Sequence, residues 1–223
     1  MDQQQLFAGL KYDPRPRDRL LLAIRPPPEI AILIAALASR LRVDLRLTGP
    51  PLLWHRLHIT LWSFKIRAGI PDALKRSVMR AMDLVAAPSF EVAFDCAQSF
   101  SNKTANLAFT LRAAEDASAL IAFRETIRLA LARAGLVYDF PLEYIPHVTM
   151  LYDDVYVPKV PVPPLRWTVK DFVLIHSMVG KTRHIELGHW LLDVDGNIVE
   201  GRITPDHLAA EASTGSTGGF LTL

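Results

Sequence analysis

Apolar residues in this chain follow two spacings, and the switches between them outline the elements. Leu20 to Ile24 is an unbroken apolar run of strand length, and Pro26-Pro27-Pro28 then opens a helix predicted to reach about Arg42, since proline is tolerated in a helix's first turn. A second strand is predicted over Leu57 to Phe64, and Pro71 to Ala86 has the i, i+3, i+4 spacing of a helix. Ser89 to Ala97 sets Phe90, Val92 and Phe94 on one face against Glu91, Ala93 and Asp95 on the other, and Ala105 to Leu111 follows as its partner strand. Ala114 to Gly135 is the longest helical pattern and ends at a glycine stop. A strand over Pro146 to Leu151 comes next, then a proline-rich connection, then strands over about Trp167 to Met178 and His184 to Leu192.

Helices and strands interleave, but two adjacent strand pairs occur, which argues against one all-parallel sheet. The expected fold class is α+β, with two small antiparallel-rich sheets. Residues 1 to 17 carry Pro14 and Pro16 without sustained periodicity and are expected to form a flexible arm. The two-lobed domain is expected over residues 18 to 200. The tail from residue 201 to 223 contains Ala-Ser-Thr-Gly-Ser-Thr-Gly-Gly, too little apolar content to pack, and is expected to be flexible.

Composition narrows the function classes. The longest apolar stretch, Ile30 to Ala38, is far below the ~20 residues needed to cross a bilayer. Met1-Asp2-Gln3-Gln4-Gln5 offers no basic residue ahead of an apolar run, so a cytoplasmic location without a membrane partner is expected. The single cysteine, Cys96, excludes an internal disulfide and any zinc site built from several thiolates. A net charge of +2 argues against coating nucleic acid by electrostatics alone. The charge is uneven, however: residues 1 to 67 hold 11 Lys and Arg against 5 Asp and Glu, while the remainder holds 14 against 18, so a phosphate-bearing substrate would meet the N-terminal part.

Two segments repeat one pattern, Leu57-His58-Ile59-Thr60-Leu61 and Pro146-His147-Val148-Thr149-Met150. In a strand, alternate side chains share a face, so each copy presents one imidazole and one hydroxyl to one side and anchors itself by apolar residues on the other. A lone strand histidine is usually a satisfied structural residue, and a strand threonine usually reflects β propensity. Two copies change the balance: random placement yields roughly 0.1 such flanked triplets, so finding two has a probability of order 0.5%. Hydrolysis of a phosphodiester needs a base for the attacking water, an acid for the leaving oxygen and donors for the non-bridging oxygens. His58 and His147 can hold opposite protonation states near neutrality, and Thr60 and Thr149 can hold the phosphate. No metal and no cofactor is required.

The other five histidines read as structural. His55 lies three residues before His58, the opposite parity in a strand, and His176, His184 and His189 fall in late strands without a threonine partner, while His207 lies in the tail. Neither the histidine spacings nor Asp153-Asp154 makes a metal-ligand set. No Gly-x-Ser-x-Gly elbow, complete phosphate loop or Gly-x-Gly-x-x-Gly occurs, and Gly180-Lys181-Thr182 reads as a hairpin turn.

On these residues the chain resembles the 2H phosphoesterase superfamily, in the bacterial branch of 2'-5' RNA ligases and RNA 2',3'-cyclic phosphodiesterases. The likeness runs from about Arg17 to Asp193: the Arg19-Leu20-Leu21-Leu22-Ala23-Ile24 strand, the paired His-x-Thr segments, and Phe172-Val173-Leu174-Ile175-His176-Ser177 through Trp190-Leu191-Leu192. It implies a bilobal fold with helices outside and a central cleft, and hydrolysis of a terminal 2',3'-cyclic phosphate to a 2'-phosphate, with reversible 2'-5' ligation seen in relatives. His58 would then protonate the 3' leaving oxygen and His147 would activate water. The implied partners are RNA ends or nucleotides bearing a 2',3'-cyclic phosphate, and the chain itself is expected to be a monomer. A 2'-5' oligonucleotide phosphodiesterase and a non-catalytic RNA-end or nucleotide binding module that kept the pocket stand as the alternatives. The chain departs from the family in Trp62-Ser63-Phe64-Lys65 after the first motif and Leu151-Tyr152-Asp153-Asp154 after the second, where a basic residue is common. Those positions bear on substrate choice.

Overall fold

The computed structural model describes residues 18–66, 69–101, 105–113, 117–136, 144–178, 181, 183–193 and 202–203. The expected N-terminal arm and most of the expected C-terminal tail, His207 included, lie outside them. Element order is β1 (Asp18–Ile24), α1 (Pro28–Asp44), a 3-10 turn (Trp54–Arg56), β2 (Ile59–Ile66), α2 (Asp72–Met82), β3 (Phe90–Ser99), β4 (Leu107–Ala113), α3 (Ser118–Arg133), β5 (His147–Asp153), β6 (Val160–Val169), β7 (Asp171–Met178), β8 (Arg183–Leu191) and β9 (Arg202–Ile203). The fold is α+β, as the interleaved periodicities required.

The strands form one sheet in the order β6-β3-β4-β5-β2-β1-β7-β8-β9, and every strand pair in it is antiparallel. The two sheets expected from the sequence are the two halves of this one. They meet where β2 pairs with β5, through a single residue pair, Ile59 opposite Val148. Both expected hairpin pairs are present, β3 with β4 and β7 with β8.

The proline-rich segment read as a connection is itself a strand. β6 contains Pro161, Pro163 and Pro164 and pairs only with β3, at the sheet's outer edge. Proline lacks an N–H and is confined to edge strands, where one side of the ladder needs no donor. The run predicted from Trp167 to Met178 divides at Lys170 into the end of β6, which pairs with β3, and the start of β7, which pairs with β1. Arg202–Ile203, within the expected tail, pairs with His189 and Trp190 of β8.

One apolar core joins the three helices to the sheet. Ala31, Ile34 and Ala38 of α1, Val78 and Met82 of α2, and Leu120, Phe123, Ile127 and Leu131 of α3 are buried with Ile59, Leu61, Val148 and Met150. These strand residues are the apolar partners of the two motifs, so the motif histidines and threonines face the other way. On that side a smaller cluster, Leu21, Ala23, Val173 and Ile175, fills the space between β1 and β7.

β5 is held at its far end by a loop clamp. Asp153, 5% exposed, accepts from the N–H groups of Thr48 and Gly49, both at 2.7 Å, and from that of Val155 at 2.9 Å. These donors hold its carboxyl below the usual carboxylate range. A Cβ on Gly49 would lie 1.8 Å from the Tyr152 carbonyl oxygen, so no larger residue fits without moving β5. Gly49→Ala is accordingly expected to lower stability by about 2 kcal/mol or more in denaturant unfolding, well beyond the ~0.5 kcal/mol of an ordinary surface substitution.

Candidate active site

β2 and β5 set the geometry. Their antiparallel register places Ile59 opposite Val148, both fully buried. One residue either way along that register, Thr60 faces His147 and His58 faces Thr149, with facing Cα atoms about 4.5–5.5 Å apart. The two histidines are therefore diagonal neighbours across the β2–β5 junction, with backbones roughly 7–8 Å apart. The structure brings all four predicted side chains together. Each is partly exposed, and among the described residues the hydroxyls of Thr60 and Thr149 are engaged by nothing.

Both imidazoles are held in the same way. Nδ1–H of His58 donates to the Arg56 carbonyl at 2.8 Å, and Nδ1–H of His147 donates to the Ile145 carbonyl at 2.7 Å. A carbonyl only accepts, so in each neutral ring the proton sits on Nδ1 and the lone pair on Nε2. Two positions in different halves of the sheet thus share a ring orientation, fixed by the backbone two residues upstream.

Their surroundings differ. Burial lowers the His58 pKa to about 4, and the charges of His147, Arg25 and Arg56 push the same way. Burial also lowers that of His147, with Arg112 adding to the effect. No acidic group opposes either shift. In the protein by itself, both rings are neutral at pH 7.

The motif strands are tied directly to each other. Tyr144, three residues before His147, donates its hydroxyl to the Thr60 carbonyl at 3.1 Å. The guanidinium of Arg124 lies over the Tyr144 ring at 4.1 Å, and its Nε–H donates to the Leu61 carbonyl at 3.2 Å. Burial raises the Tyr144 phenol above its ordinary range, so it stays a donor.

Three neighbours escaped the sequence reading. Arg112 of β4 lies directly opposite His147, and its guanidinium stacks over Phe100 at 4.5 Å, while the edge of Phe100 meets the His147 ring at 4.8 Å between centroids. Arg112 donates only long bonds, 3.4 Å to Thr110 Oγ1 and 3.4 Å to the Ser99 carbonyl, and among the described residues it has no carboxylate partner. His184, read as structural, instead packs edge-on against His58, with centroids 5.4 Å apart. Its pKa is lowered to about 4 by burial and by the charges of His58, Arg56, Arg25 and His55. The cross-strand pairing that creates these contacts is long-range, and the absence of a threonine two residues on carried no information about it.

His176, His189 and His55 make other contacts. His176 bonds Asp18 at 2.5 Å, and His189 lies between Asp171 and Glu186, which raise its pKa to about 9. His55 belongs to the 3-10 turn, not to a strand, and meets Trp54 edge-on. Asp153 and Asp154 serve main-chain donors, the latter accepting from the Asn106 N–H at 2.7 Å.

Residues 26–180 match the family model of the 2'-5' RNA ligase superfamily. No curated protein sequence matches the chain. Among solved structures, a protein described as a phosphoesterase superposes with a TM-score of 0.64 at 22% identity, covering 79% of this chain and 99% of its own. LigT of E. coli, in apo form, gives 0.62 at 23% identity over 80% and 99% of the two chains. TT0787 of Thermus thermophilus gives 0.59 at 22% identity over 79% and 99%. LigT has also been solved in complex with ATP, with 3'-AMP and with phosphate. At these identities the structural likeness is one of fold, while the family match spans most of the chain and contains both His-x-Thr segments: this protein belongs to the 2'-5' RNA ligase superfamily.

Proposed function

We propose that the protein hydrolyses RNA 2',3'-cyclic phosphate ends to 2'-phosphates without a metal, using His58 and His147 as the acid–base pair. The observation that supports this reading is the pairing of Ile59 with Val148, since the same antiparallel register carried one residue either way puts each motif histidine opposite the other motif's threonine. The complexes of E. coli LigT with 3'-AMP and phosphate support a nucleotide phosphate as the ligand class.

In the proposed reaction Thr60 and Thr149 donate to the non-bridging oxygens, and Arg112, poised beside His147 without a carboxylate, balances the phosphate charge. Water attacks phosphorus as Nε2 of His147 takes its proton. The bond from phosphorus to the 3' oxygen breaks, and protonated His58 gives its Nε2 proton to that oxygen. The phosphate remains on the 2' oxygen, and the two rings have exchanged protonation states.

This scheme needs one ring charged, yet both are neutral in the protein by itself. The phosphate supplies what is missing: a negative charge a few ångströms from a desolvated imidazole favours the imidazolium. The sign follows directly. Ligand binding raises the depressed histidine pKa values, and a proton is taken up with the anion near neutral pH.

Two outcomes are expected. His58→Ala and His147→Ala should each lower kcat/KM on a 2',3'-cyclic phosphate RNA end by at least ~100-fold, with wild-type activity unchanged by chelator; loss of activity in EDTA and its return with zinc would refute the scheme. In imidazole NMR titrations, His58 should titrate near 4 in the free protein and move upward when inorganic phosphate is added. The matching kinetic signature is a bell-shaped profile for kcat centred at higher pH than that for kcat/KM, because the former reports the complex and the latter the free enzyme.

A further inference from the structure

The reacting phosphate is met by the two motifs, and they leave unused a guanidinium and an imidazole on the His58 side. His184 stands at the start of β8 with its ring against His58. Its Nδ1 is buried, and among the described residues it has no hydrogen-bond partner. Arg56 ends the 3-10 turn two residues before His58, and its Nε is likewise buried and unpartnered among the described residues. His58 therefore has the His184 ring against it on one side and the residue two before it, Arg56, at the end of the 3-10 turn, and the charge of Arg56 bears on both rings.

Acidic groups nearby are already committed. Glu186 pairs with Arg25 at 2.6 Å and with His189 at 3.4 Å, and Asp171 lies 3.5 Å from His189. Nothing acidic among the described residues is left for Arg56. Buried polar atoms are almost always satisfied, so a pair left open beside a reaction centre marks a place that a ligand completes. A guanidinium and an imidazole there suit a phosphate oxygen better than any neutral group.

We propose that Arg56 and His184 form a second phosphate subsite beside His58, which takes the internucleotide phosphodiester on the 5' side of the terminal nucleoside. The inference rests on the hydrolytic reading above and narrows it: the substrate is an oligonucleotide end, and a mononucleoside cyclic phosphate leaves the subsite unfilled.

The test compares three substrates: a ribonucleoside 2',3'-cyclic phosphate, its 5'-phosphorylated form, and a dinucleotide ending in the cyclic phosphate. The dinucleotide is expected to exceed the plain mononucleoside in kcat/KM by at least ~10-fold at low salt, an advantage that shrinks as salt rises. Arg56→Gln and His184→Gln should each cut that ratio at least ~3-fold, while Arg56→Lys retains most of it, since a point charge survives without the fork. Arg56→Gln keeps the backbone carbonyl that orients His58, and a merely structural role would slow every substrate by the same factor and leave the ratio intact. A wild-type ratio near one, or equal losses on all substrates in both variants, overturns the subsite. A preference confined to the 5'-phosphorylated mononucleoside overturns the internucleotide assignment. Calorimetric binding of the corresponding 3'-phosphorylated mononucleotide and dinucleotide separates the two readings. Tighter binding of the dinucleotide that Arg56→Gln abolishes, without turnover of any cyclic phosphate, keeps the subsite and sinks the hydrolytic reading. Turnover with no dinucleotide advantage in rate or affinity does the reverse.

Discussion

The pairing of Ile59 with Val148 is the contact on which the site depends. Side chains of facing residues in an antiparallel pair share a face, and neighbours along each strand take the other. Burying Ile59 and Val148 together against the helices therefore commits His58, Thr60, His147 and Thr149 to the opposite side, in crossed positions. A slip of one residue would turn both motifs into the core. The apolar residue inside each His-x-Thr triplet is as much a part of the site as the polar ones, because it sets the register. Tyr144 and Arg124 hold the same junction from the backbone side, at Thr60 and Leu61.

Burial on this face has an electrostatic consequence. Each motif ring donates from Nδ1–H to a carbonyl, and burial together with nearby arginines depresses its pKa in the protein by itself. A negative charge placed on this face would oppose the shift of both rings.

Much of this was legible in the chain. The strands carrying the two motifs, the three helices and both hairpins followed from apolar period, and the four motif residues followed from strand parity applied twice. What was not legible depends on pairing between distant strands. Arg112 is an ordinary basic residue until Arg112 and His147 are set opposite each other, and His184 is an unremarked strand histidine until β8 brings it to His58. Proline misled in the opposite direction: Pro161, Pro163 and Pro164 read as a loop because sequence does not say that β6 lies at an edge. The join between the expected two sheets escaped for the same reason, since a single residue pair leaves no periodic trace.

The two motifs share a hydrogen-bonding pattern but not their surroundings. Equivalent rings in equivalent hydrogen bonds would have equal proton affinities, and an acid–base pair needs them unequal. Here the inequality comes from what flanks each motif. His147 faces one guanidinium, that of Arg112, held over Phe100. His58 is packed against a third imidazole and lies near Arg25 and Arg56, and its pKa is driven down to about 4. Unlike neighbours around like motifs therefore give the two rings unequal proton affinities in the protein alone, which is the condition an acid–base pair needs.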